Sequence, residues 1–104
     1  MYISGVTSAA PTFNAQLTED YKVITNILKD YGVTSTAIVK ETIYTRDMEA
    51  LKKAIPLRKQ FYSSAAYPSA SWVQVERLFE EANKVEIEVE VRLPSEHKGY
   101  SPRP

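Results

Sequence analysis

The chain has 104 residues, 43% hydrophobic and 25% charged, the proportions of one soluble globular domain with a single small core. Thirteen basic and thirteen acidic side chains cancel, which removes the basic stripe of a nucleic-acid binder and the basic amphipathic segment of a membrane-surface protein. With no cysteine, disulfides, thiolate metal sites and a cysteine nucleophile are excluded. No apolar run approaches the ~18 residues of a spanning helix, and the start lacks the basic and apolar regions of a signal peptide. The default expectation is a cytoplasmic protein that binds neither nucleic acid nor membrane. No His, Asp or Glu cluster has metal-ligand spacing, and three glycines build no phosphate cradle, so neither metal nor cofactor is expected.

In chain order, Tyr2-Ile3-Ser4-Gly5-Val6 reads as a short strand and residues 7–14 as a loop. Thr18 is a candidate N-cap, with Glu19 and Asp20 in a first turn where the helix dipole favours acids. Leu17, Tyr21, Ile24, Ile27, Leu28 and Tyr31 follow at helical spacing, and Gly32 stops the helix. Residues 36–45, rich in β-branched side chains, predict a second strand. Asp47 caps a second helix carrying Met48, Leu51, Ala54, Ile55, Leu57 and Phe61, which either kinks at Pro56 or restarts there. Residues 63–66 form a small-residue loop.

Two strands close the domain. Residues 67–72 (Tyr-Pro-Ser-Ala-Ser-Trp) lead into a strand at 73–78, and residues 84–93 alternate apolar and charged side chains without interruption. Joined by residues 79–83, they are most simply an antiparallel pair. The order strand–helix–strand–helix–strand–strand predicts an α+β fold. Its mixed sheet has right-handed crossovers and both helices on one face. Val85, Ile87, Val89 and Val91 should meet the helices. Glu86, Glu88 and Glu90, with Gln74 and Glu76 on the expected neighbour, face away, and a sheet covered on one side invites a ring of subunits. Residues 94–104, with the single histidine His97, have no periodicity and read as a flexible tail after a domain at 1–93.

Five segments then resemble one family. They are Tyr2-Ile3-Ser4-Gly5, the helix ending Tyr31-Gly32, and the run from Ile38-Val39-Lys40-Glu41-Thr42 to Asp47-Met48, similar to V-K-x-T-V-φ-φ-x-D-M. The last two are Tyr67-Pro68-x-x-Ser71-x-Val73-x-Val75-x-x-Leu78, similar to P-A-R-S-x-V-x-V-x-x-L, and Val85-Glu86-Ile87-Glu88-Val89, similar to V-E-I-E-A. Together they resemble the Rid (reactive intermediate deaminase, YjgF-like) family over residues 1–93. The resemblance implies a bacterial chorismate-mutase-like fold, a homotrimer, and small-molecule pockets between subunits. It also implies cofactor-independent hydrolysis of enamines and imines to 2-keto acids and ammonia. There an arginine forks onto the substrate carboxylate and a glutamate positions water.

Carried over by position, Glu86 takes the catalytic glutamate's place if one residue is inserted between Leu78 and Val85. Ser4, Gly5, Ala70 and Trp72 then line the pocket. Ala70 stands at the arginine position, and an alanine cannot hold a carboxylate. Trp72 replaces a residue that is often cysteine, either filling the space of the lost side chain or offering a flat wall. Ile55 stands where an asparagine often lines the pocket. The family's usual first strand, with its G-P-Y-S-x-A segment, has no counterpart ahead of Met1. Glu86 is otherwise one of three solvated glutamates, and Ser4 otherwise a strand-end hydroxyl. Arg46 and Arg58 are expected on loop and helix surfaces, and Arg77 on the face opposite Ala70.

Three functions are therefore open. The first is a Rid-like trimer without ordinary 2-imino acid hydrolysis. The second is an active deaminase anchored by another arginine, and the third a non-enzymatic interaction or chaperone-like protein. Endoribonuclease activity, also ascribed to such proteins, fits poorly with zero net charge.

Overall fold

The computed structural model describes residues 1–62 and 67–94. The loop predicted at 63–66 and the tail from residue 95, with His97, lie outside the described residues. The elements are β1 (Tyr2–Val6), α1 (Phe13–Asp30), a 3₁₀ turn at Ser35–Ala37, β2 (Ile38–Thr45), α2 (Met48–Lys53), α3 (Ile55–Phe61), β3 (Ser69–Gln74) and β4 (Val85–Val91).

Helix α1 starts earlier than expected. Thr12, extended at φ −122°, accepts a hydrogen bond from the Ala15 amide at 3.1 Å and is the N-cap. Thr18 lies exposed inside the helix, and Asp20 faces the core. The apolar stripe begins at Phe13, in a stretch whose Pro11 and small residues read as loop. The C-terminal end is as the glycine indicates. Gly32 adopts φ +72° and the Val33 amide returns to the Leu28 carbonyl at 3.0 Å, closing the helix in a left-handed turn. Asp47 caps α2 through the Ala50 amide at 3.0 Å. Ala54 ends α2 and caps α3, which restarts with Pro56 in its first turn, where a missing amide costs nothing.

The sheet order is β1-β4-β2-β3, with β4 antiparallel to both its neighbours and β2 parallel to β3. The expected β3–β4 hairpin does not form, and the third strand occupies 69–74 rather than 73–78. β4 instead inserts between β1 and β2. Its unbroken valine and isoleucine face suits the middle of a sheet, where Val85, Ile87, Val89 and Val91 are at most 2% exposed. β3, with Ser69, Ala70 and Ser71, takes the edge. Gln16, buried on α1, ties the helix to the β4 entry: its amide donates to Ala10 and Ala82 carbonyls at 2.8 and 3.0 Å and accepts from the Lys84 amide at 2.8 Å.

Cα pairing sets the faces. Glu41↔Ala70, Ile43↔Trp72 and Thr45↔Gln74 pair across β2–β3, and Ile43↔Ile87 across β2–β4. Paired residues share a face, so Ala70, Trp72 and Gln74 lie on the helix-covered side. Gln74 accepts from the Met48 amide at 3.1 Å there and does not join the glutamates.

If Thr12 is the cap, Thr12→Ala lowers unfolding free energy by about 1 kcal/mol in urea titration. Thr18→Ala, on the exposed helix face, then changes it by less than about 0.5 kcal/mol.

Candidate functional site

The helix-free face carries Glu86, Glu88 and Glu90 in one row on β4, opposite Tyr44, Thr42 and Lys40 of β2. Glu88 accepts from the Tyr2 hydroxyl at 3.1 Å and from the Tyr44 hydroxyl at 3.4 Å. Among the described residues, no side chain donates a hydrogen bond to Glu86. Burial, and secondly the Glu88 charge, push its carboxyl above the usual range. Ser4 and Gly5 lie on the neighbouring β1, where pairing slips between Ile3↔Val89 and Val6↔Ile87. Gly5 holds φ +69° at this bulge. A side chain there would meet nothing within 4 Å, so the position calls for glycine through its backbone, not through lack of space.

Ala70 and Trp72 are on the other side of the same sheet. Within one protomer, therefore, Ser4 and Gly5, which the register sets opposite Glu88, lie on the strand next to that of Glu86, and Ala70 and Trp72 are separated from them by the sheet itself. Side chains on opposite faces cannot converge on one ligand, so a pocket using both sets needs two protomers.

Beside Ala70 lies a cluster that the sequence reading missed. Glu41, 0% exposed, accepts three hydrogen bonds: Arg58 Nε at 2.8 Å on one oxygen, and the Tyr21 and Tyr62 hydroxyls at 2.9 Å each on the other. Arg58 is not on a helix surface; its side chain is 13% exposed and reaches from α3 over the sheet to this ion pair. Its guanidinium carbon stands 5.0, 5.5 and 5.8 Å from the Tyr62, Tyr67 and Trp72 ring centres. Tyr21 stacks on Phe61 at 4.3 Å, and Tyr62 meets both rings edge-on. Trp72 packs partly against the core, so its ring does fill space on this face. The signal was parity: Glu41 falls on the same strand face as Ile43, where an acid is out of place, and Arg58 and Tyr62 are one helical turn apart.

Asp20 is a second buried acid, on the core stripe of α1 with Leu17 and Ile24. Among the described residues, neither carboxylate oxygen has a hydrogen-bond partner. Burial, then the charges of Glu19 and Glu86, push it up to about 8. It therefore holds a proton at neutral pH when folded and sheds it when unfolded.

Two of the other arginines are tied to backbone carbonyls. Arg46 Nη1 donates to the Glu81 carbonyl and Arg77 Nε to the Leu78 carbonyl. A cleft of about 540 Å³ lies at the far end of α1, between Gly32, Val33, Thr36, Val39 and Arg92, away from all of these residues. Among the described residues no His, Cys, Asp or Glu group is arranged to hold a metal, and no helix is long and apolar enough to cross a membrane.

Two measurements check these assignments. Arg58→Met strands Glu41 in the core and lowers stability by about 3–5 kcal/mol, and the Glu41→Gln/Arg58→Met double variant recovers part of that loss in a double-mutant cycle. For Asp20, the folded carboxyl titrates above the unfolded one. Its contribution is thus full below about pH 4, declines as pH rises, and is lost above about pH 8. Asp20→Asn should flatten the fall in urea midpoint over that range and add about 1–3 kcal/mol at pH 8.

Comparison with known proteins places this geometry. The family model described as endoribonuclease L-PSP matches residues 1–93. A search of curated proteins returns no match. Among solved structures, Escherichia coli TdcF with bound serine is 28% identical, with a TM-score of 0.77 over 88% of this chain and 79% of that one. A member of the YjgF/YER057c/UK114 family from Mycobacterium tuberculosis is 24% identical, with a TM-score of 0.79 over 86% and 75%. The YjgF gene product of E. coli is 24% identical, with a TM-score of 0.75 over 88% and 79%. With the family model spanning nearly all of the described residues, and the same mixed sheet in these neighbours, the chain belongs to the endoribonuclease L-PSP family, the YjgF/YER057c/UK114 or Rid proteins.

Proposed function

We propose that this chain is a Rid-type small-molecule protein, trimeric through its helix-free sheet face in the chorismate-mutase-like manner, that does not perform ordinary 2-imino acid hydrolysis. One observation carries the reading. The position of the family's arginine is Ala70, and the nearest guanidinium, Arg58, is already engaged by Glu41, the Cα partner of Ala70. Losing a bidentate carboxylate anchor costs roughly 2–5 kcal/mol of binding. A guanidinium neutralised by a buried carboxylate does not replace it. Arg46 and Arg77, bound to backbone carbonyls, give no better support to an anchor from elsewhere.

Glu86 keeps the water-positioning role in this reading, and its raised pKa suits a base working nearer neutral pH. Ser4 and Gly5 form the wall beside it. Ala70 and Trp72 come from a second protomer, because they face away from Glu86 in their own. The ribonuclease activity in the family's name finds little support: the net charge is zero, without the basic stripe that a phosphate backbone calls for.

The test is ammonia release from a 2-imino acid made in place by an amino-acid oxidase, on protein whose mass is measured by light scattering. The expected result is a trimer with release near the uncatalysed rate, and a gain on Ala70→Arg. Substantial turnover by the unmodified trimer overturns the reading. Where a cellular function can be scored, impairment by Glu86→Gln argues against a purely non-enzymatic role.

A further inference from the structure

The Glu41–Arg58 pair has a side that the fold does not use. Arg58 spends only Nε on Glu41, and among the described residues its two terminal nitrogens meet no hydrogen-bond acceptor. Trp72, whose ring lies 5.8 Å from the same guanidinium carbon, has a buried Nε1–H with no acceptor either. A buried donor such as this indole N–H is rarely left unpaired, and the orphan costs free energy that an arriving acceptor returns. Tyr67, 49% exposed, flanks the guanidinium with its ring. Ala70, exposed and next to Glu41 on the same face, contributes only a methyl.

Charge decides what this corner takes. Arg58 and Glu41 form an ion pair of zero net charge with its acid fully buried. An incoming carboxylate would lose its hydration without meeting an uncompensated cation, an exchange that is not repaid. A neutral carbonyl oxygen has far less hydration to lose and accepts from the same donors. The flanking aromatic rings favour a flat, unsaturated body behind that oxygen.

We propose that the corner formed by Arg58, Trp72, Tyr67 and Ala70 binds a small, neutral, planar molecule through a carbonyl oxygen that accepts from the Arg58 terminal nitrogens and Trp72 Nε1. The assignment rests on the reading that Ala70 leaves no net cation for a substrate carboxylate, and it names the class of ligand that replaces such a substrate.

Trp72 is the only tryptophan in the chain, so its indole N–H gives a single resonance in a nitrogen–proton correlation spectrum. Benzamide, neutral and planar, is titrated against benzoate, its anionic counterpart, on the full chain. Benzamide should move the indole resonance downfield in a saturable way, with benzoate at least about tenfold weaker. Ala70→Leu, which leaves the ion pair untouched, should weaken benzamide about tenfold. The proposal is overturned if benzamide leaves the resonance in place up to about 50 mM, a generous limit for so small a ligand. It is also overturned if benzoate binds as well or better, or if Ala70→Leu binds benzamide unchanged. Ammonia release reports on the reaction and this titration on the ligand, so either can fail alone.

Discussion

Glu41 is an acid held at the centre of a small protein, and the packing of α1 and α3 over the sheet converges on it. Its three donors come from separate places: Tyr21 on α1, Arg58 on α3, and Tyr62 just past the end of α3. A carboxylate taken out of water is tolerated only when such partners are all in place. The break between α2 and α3 at Ala54 therefore has a consequence beyond accommodating Pro56. It gives α3 its own direction, with Arg58 and Tyr62, one turn apart, both reaching the same acid. Stacking of Phe61 on Tyr21 joins α1 to α3 next to that cluster.

The same interaction bears on the site. Glu41 pairs with Ala70 across the β2–β3 ladder, the position that the proposed reading aligns with the motif arginine. A cation thus remains in the neighbourhood, yet it arrives from a helix and with its counter-charge. That difference separates an anchor for anions from a set of neutral donors, and the proposed ligand class follows from it. On the other side of the sheet the balance is reversed. Glu86 sits beside Glu88 and, among the described residues, has no basic partner bonded to it.

Much of the fold was legible in local patterns. The stripe from Leu17 to Leu28, the Gly32 stop, the Asp47 cap and the alternation of β4 each rest on a periodicity or a backbone preference that neighbours in sequence settle. Glu86, Ser4 and Gly5 came from motif positions, and the fold brings these three onto neighbouring strands. The misreadings have two causes. The hairpin between β3 and β4, and the placement of Gln74 beside the glutamates, assumed that strands adjacent in sequence are adjacent in space. Thr18 as a cap, and Asp20 as a first-turn acid, followed from starting the helix nearly two turns late.

By itself, then, the sequence determined the class of fold, the Gly32 stop, the Asp47 cap, the buried face of β4 and the family, because these depend on local conformational preference and on short motifs in order. Tertiary structure alone decided that β4 enters between β1 and β2, that Ala70 and Glu86 lie on opposite faces, and that Arg58 is spent on Glu41. Those facts depend on which strand wins the centre of the sheet and on where a buried charge finds its donors. Both are settled by packing between residues far apart in the chain.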